Sequence, residues 1–97
     1  MTQSTTARPV GVQIQESSDD IRLLVSAIEQ DNPSATITFL PGLVQISVPG
    51  QLIVRRDTVE SALGREWETH EFQLAIVSYF GHIKDWDDDQ IVISWDH

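Results

Sequence analysis

The chain has no cysteine, few cations and no long apolar run, and each shortage removes a class of function. Zero cysteines among 97 residues exclude disulfides, thiolate metal sites, iron–sulfur clusters and thiol redox chemistry together. Only 6 lysines and arginines stand against 15 acidic side chains, a net charge of −9. Nucleic-acid affinity comes mainly from cations that displace condensed counterions, so this balance argues against nucleic acid and anionic membrane surfaces as partners. No apolar run approaches the roughly 18 residues of a membrane span, and the opening MTQSTTARPV lacks the basic and apolar regions of a signal peptide. The expected location is the cytoplasm. The glycines at 11, 42, 50, 64 and 81 match neither the dinucleotide fingerprint nor the P-loop, and no G-x-S-x-G occurs.

What is present suits one folded domain. The hydrophobic fraction is 40%, with three Trp and three Phe, and a chain of this size buries roughly 60 to 65% of its unfolded surface, enough for one modest core. Residues 1–9 are polar and end at Pro9, which reads as a flexible tail; residues 10–97 read as a single α+β domain. Val10, Val12 and Ile14 alternate with Gly11 and Gln13 as in a short, half-buried edge strand. Ser17, Ser18, Asp19 and Asp20 then supply a helix start. Ile21, Leu24, Val25 and Ile28 share one stripe over about 13 residues, and Asp31-Asn32-Pro33 stops the helix.

Two alternating runs, residues 35–40 and 43–48, joined at Pro41-Gly42, read as a hairpin. Pro49-Gly50 makes a second turn and Leu52 to Val54 a third strand, so the middle of the chain reads as a meander. Asp57-Thr58-Val59-Glu60 fits a capping box with Asp57 as the cap, and Gly64 is the natural left-handed stop. From Phe72 to Phe80 the alternation is apolar on both faces, which places a strand in the middle of a sheet. An acidic turn at residues 85–89 and a last strand through Ile91, Ile93 and Trp95 complete an α+β fold: mainly antiparallel twisted sheets of about six to seven short strands, covered by two or three helices.

Candidate chemistry is sparse. His70 in E-T-H-E-F lacks the second histidine of a zinc helix, since Leu74 stands four residues on, and reads as a surface or strand-start residue. His82 follows Gly81 at a strand end, as a contact or pH-sensitive group without a carboxylate partner. Asp85, Asp87, Asp88 and Asp89 miss the Gly and Glu of a calcium loop and read as a solvated turn. Arg55 and Arg56 start on opposite faces of a strand; each serves equally as an interface anchor or as an ion-pair partner of Asp57 or Glu60. No catalytic, cofactor or metal residues emerge.

The run Leu52-Ile53-Val54-Arg55-Arg56-x-Thr58-Val59-Glu60-x-x-Leu63-Gly64-Arg65-Glu66-Trp67, with Glu71-Phe72-x-Leu74, Phe80-Gly81-His82-Ile83, the Asp cluster and Asp31-Asn32-Pro33, resembles the regulatory or coupling proteins of soluble diiron monooxygenases. The likeness covers about residues 20–95, and L-G-R-E-W after two arginines is most similar to the phenol hydroxylase branch. The resemblance implies a cofactor-free, non-catalytic α+β effector that docks on the hydroxylase above its diiron site, in a system that also holds a reductase. It would tune oxygen and substrate access during oxidation of phenol or a related aromatic or alkene. An effector acts by binding one hydroxylase conformation more tightly, and a coupling of about 1 to 3 kcal/mol corresponds to roughly 5- to 150-fold. The partner-facing residues it implies are Val77, Ser78, Tyr79, Phe80, Gly81 and His82, with the outward residues of the first helix, and more weakly Asn32, Arg55 and Arg56. Alternation alone equally allows Ser78 and Phe80 to be core. The alternative reading is an acidic adaptor for an unrelated partner.

Overall fold

In the computed structural model, which describes residues 8–16 and 19–95, the chain forms seven strands and three helices. They run in the order β1 (Pro9–Gln15), α1 (Asp19–Asp31), β2 (Thr36–Leu40), β3 (Leu43–Pro49), β4 (Gln51–Arg55), α2 (Arg56–Leu63), α3 (His70–Ala75), β5 (Ile76–Phe80), β6 (His82–Trp86) and β7 (Gln90–Ser94). Both sheets are antiparallel: one of four strands in the order β2-β3-β1-β5, one of three in the order β4-β7-β6. The expected α+β architecture, strand number and helix number are therefore those observed. The reading of residues 1–9 as a tail concerns mostly residues outside the described ones, as does the part of the α1 start assigned to Ser17 and Ser18. Pro9 itself pairs with Pro49 as the first residue of β1.

One core lies between the sheets and under α1. It takes Val10, Val12 and Ile14 from β1, Val44, Ile46 and Val48 from β3, Leu52 and Val54 from β4, and Ile91 and Ile93 from β7. Above them α1 lays down the stripe read from its sequence, Ile21, Leu24, Val25 and Ile28, and also buries Ala27. Period-2 alternation on the strands and period-3.6 spacing on the helix aim these side chains at one another, and their removal from water is the main force holding the layers.

Several sequence readings are corrected. β1 is not an edge strand; β3 and β5 flank it. Conversely β5 is not central but is the edge of its sheet, and residues 72–75 belong to α3. The apolar alternation continued through Phe72 and Leu74 because a short helix, too, can bury one and expose the other: Phe72 is fully buried and Leu74 is 81% exposed. Just ahead of the helix, Glu71 Oε2 accepts from the Glu68 N–H at 3.0 Å. The meander breaks at Pro49-Gly50, which carries the chain into the second sheet, where β4 pairs with β7 rather than β3.

The capping box assigned to Asp57 and Glu60 does not form. α2 begins two residues earlier with Arg55 at its N-cap and no side-chain cap, because Glu60 is engaged elsewhere. Its Oε2 accepts from the Trp67 N–H at 2.9 Å and faces Arg56 Nε at 3.4 Å. The helix does end where expected: Gly64 has φ 72° and its N–H donates to Glu60 O at 2.8 Å, the left-handed stop that glycine adopts without strain. The acidic turn is shorter than read, since Asp85 and Trp86 belong to β6. In the remainder Asp87 Oδ1 accepts from the Asp89 and Gln90 N–H groups at 2.8 and 2.9 Å.

Candidate docking surface

β5 and β6 are consecutive in sequence, each is an edge strand, and each belongs to a different sheet. Gly81 alone joins them. Its φ of 118° lies in the left-handed region, and a Cβ there would come within 2.8 Å of Ile93 Cγ2 and 2.9 Å of Val10 Cγ1. Only a glycine lets the chain turn from one sheet to the other this close to both. The two strands leave an open groove of about 690 Å³ between them, lined by Gln73, Ile76, Val77, Ser78, Tyr79, Ile83 and Trp86. Leu74, Val77, Tyr79 and Ile83 are all substantially exposed. Of these, Val77, Tyr79 and Ile83 line the groove, and apolar side chains gathered at a surface are a candidate contact site.

Packed aromatic rings back the groove. Trp86 packs against buried Phe72 with ring centroids 6.4 Å apart, and Phe72 meets Trp67 edge-on at 6.5 Å. Thr69, at the head of α3, donates its hydroxyl to Asp87 O at 2.6 Å, which ties α3 to the end of β6.

The residues singled out from the sequence do not all fall together. Val77, Ser78 and Tyr79 line the groove. Phe80 and Gly81 close one end of β5, with Phe80 half-buried over Gly11; a Cβ on Gly11 would run into Ile46 O and come within 2.7 Å of Phe80 Cζ. Ser78, whose alternation allowed a core position, is exposed. His82 follows the end of β5 and begins β6, where its ring stands edge-on to Trp95 at 5.4 Å. Trp95 in turn donates Nε1 to Pro9 O at 2.6 Å and carries the Arg8 guanidinium 4.2 Å from its ring centre.

The other three stand apart. Arg56 lies across Trp86 from the groove, in a polar recess with Thr69, His70 and Asp87, and takes the ion-pair reading with Glu60. Arg55 is exposed beside Asp31 and Asp57. Asn32 is 4% exposed and wholly engaged within the fold. Its Nδ2 donates to Ile28 O and Ile53 O, each at 2.7 Å, and its Oδ1 accepts from the Ile53 N–H at 3.0 Å.

Sequence reasoning missed Gln73, Ile76, Ile83 and Trp86 as parts of this surface. The available signal was Gly81 itself: a glycine between two apolar-aromatic strands turns the second back beside the first. His70 begins α3 and pairs with Glu68 at 3.1 Å. Among the described residues no group of three or more His, Cys, Asp or Glu side chains is placed to hold a metal ion.

An open groove lined only by uncharged side chains, on a frame of two sheets, is the geometry of a small binding domain. The chain belongs to the MmoB/DmpM family, whose model matches residues 8–94. It is similar to the stimulatory component DmpM of phenol 2-monooxygenase from Pseudomonas sp. (strain CF600), 38% identical over 80 residues that cover 82% of this chain and 88% of that protein. Its fold matches a chain in a solved complex of phenol hydroxylase with its regulatory protein, with TM-score 0.84 and 32% identity over 92% of this chain and 100% of that one. The regulatory protein B of soluble methane monooxygenase shares the fold, with TM-score 0.70 at 20% identity over 98% of this chain and 71% of that one. The protein is thus a regulatory component of the monooxygenase type, not a catalytic subunit.

Proposed function

We propose that the protein docks through the β5–β6 groove on the hydroxylase of a multicomponent diiron monooxygenase that acts on phenol or a related aromatic or alkene, in the cytoplasm and alongside a reductase. The observation that carries this reading is the near-complete match to a chain solved in complex with phenol hydroxylase. The groove supplies the physical means. Val77, Tyr79, Ile83 and Trp86 offer apolar area on edge strands that a partner can reach, while Gly81 and the Phe72–Trp86 contact keep that area in shape. No helix among the described residues is long and apolar enough to cross a membrane.

Binding energy becomes regulation only if the hydroxylase conformations differ in how well they receive this surface. The favoured conformation would admit oxygen and substrate together, so that reducing equivalents end in product rather than peroxide. Adding the protein to cognate hydroxylase and reductase should raise turnover to an optimum near one copy per active site and increase product formed per NADH. No change in either quantity at any ratio overturns the reading.

A further inference from the structure

The pairing of β1 with β5 runs Gly11 to Phe80, Val12 to Tyr79, Gln13 to Ser78, and then Ile14 to Ile76, which leaves Val77 without a partner. An inserted residue of this kind is a β-bulge, and bulges re-aim side chains at sheet edges and beside functional sites. β6 carries a second one: Ile83 faces Ile93 and Asp85 faces Val92, so Lys84 is left over. Both strands that wall the groove are bulged, one on each side of Gly81. An edge bulge also spoils the straight ladder that an added strand would need, so a partner meets side chains here rather than extending the sheet.

A bulge keeps its place only if something selects which residue is extruded, since a slip of one residue sends every following side chain to the opposite face. On β5 the selector is visible. Ser78 Oγ donates to Gln13 Oε1 at 2.8 Å, and Gln13 Nε2 donates to Gln45 Oε1 at 3.0 Å. The three residues are direct cross-strand partners, Ser78 to Gln13 and Gln13 to Gln45. The relay therefore ties the edge strand, one residue past the bulge, through β1 to β3.

Building on the docking reading above, we propose that Gln13 is a positioning residue for the docking surface: by accepting from Ser78 it fixes the bulge at Val77 and so sets Val77 and Tyr79 into the groove. Gln13 itself is half-buried on another strand and does not line the groove. Its effect on the partner runs through β5.

The test compares wild type with Ser78→Ala, Ser78→Thr, Gln13→Leu and the Gln13→Leu/Ser78→Ala double variant. Two readouts are followed: the concentration giving half-maximal stimulation of the cognate hydroxylase, and backbone amide exchange over residues 76–80 of the free protein. Loss of one such hydrogen bond should raise the half-maximal concentration roughly fivefold in Ser78→Ala and in Gln13→Leu, with the double variant no worse than either single. Ser78→Thr keeps the hydroxyl and should restore wild-type behaviour, and exchange over β5 should quicken only in the variants that break the relay. Wild-type half-maximal concentrations in both single variants, or fully multiplicative effects in the double, overturn the proposal. If Gln13→Leu lowers the melting temperature, amide exchange over residues 76–80 in Ser78→Ala decides, because it is read in the free protein, where loss of a direct contact between Ser78 and the partner has no effect; unchanged exchange there overturns the proposal. Should the wild-type protein leave turnover unchanged, the docking reading falls, and the exchange measurement still decides whether Gln13 holds the bulge.

Discussion

Asn32 does for β4 what a neighbouring strand would do. It pairs with both the N–H and the carbonyl of Ile53 on the edge that β7 leaves open, and holds the end of α1 through Ile28 O. A buried amide that satisfies three backbone groups leaves them unpaired when it is removed. Asn32→Ala should therefore lower stability by about 2 to 3 kcal/mol, read as a lower urea midpoint with unchanged slope. Glu60 makes a similar tie by charge. Its carboxyl is held below the ordinary value of 4.5, chiefly by the Trp67 N–H and then by Arg56, while burial works the other way. A depressed carboxylate stabilises the fold above its unfolded pKa, and that contribution is lost as pH falls through the folded one. Wild type should thus lose stability on acidification below about pH 4.5, and Glu60→Gln should lack that part of the loss. Urea midpoints of both proteins at pH 7 and pH 3 check the sign.

Among the elements, α1, the β2–β3 hairpin and the Gly64 stop could be read from residues because local chemistry decides them: a stripe, a turn dipeptide, a left-handed glycine. The order of strands could not. β1 and β5 exchanged roles because alternation reports which face is buried, not which edge is paired. Val10, Val12 and Ile14 alternate cleanly although β1 is central, its other face being occupied by the Gln13 relay and by Phe80 over Gly11. β5 reads as apolar on both faces because Val77 and Tyr79 stay exposed on an edge strand, and β-propensity does not distinguish core from exposed apolar surface. Gly81 was identifiable, but its role depends on two sheets meeting there. Gly81→Ala forces a positive φ on an alanine and drives its methyl into Val10 and Ile93. The expected cost is about 2 to 4 kcal/mol, with loss of stimulation in whatever fraction stays folded. A melting curve that overlays wild type would show that the sheets can separate at this corner without penalty.

On the scale of the whole molecule, the net charge lies outside the groove. The chain carries a net charge of −9, yet every residue lining the groove is uncharged. Among the cations outside it, Arg56 pairs with Glu60 and Arg65 with Asp20 and Glu71, while Lys84 is the extruded residue of β6 next to Ile83. Long-range attraction to a basic surface speeds encounter, whereas burial of apolar side chains governs how long the complex lasts. Salt should consequently act on association alone. Raising ionic strength from about 50 mM to about 500 mM shortens the screening length from roughly 14 Å to roughly 4 Å, and should cut the association rate with the hydroxylase by about tenfold. The dissociation rate should stay within about twofold, because no charge pair has to break in the groove. Tyr79→Ala should do the opposite, quickening dissociation at either salt concentration while leaving the salt dependence of association unchanged. Stopped-flow mixing of labelled protein with hydroxylase separates the two rates. A dissociation rate that climbs with salt would move the contact from the apolar groove to the acidic surface around it.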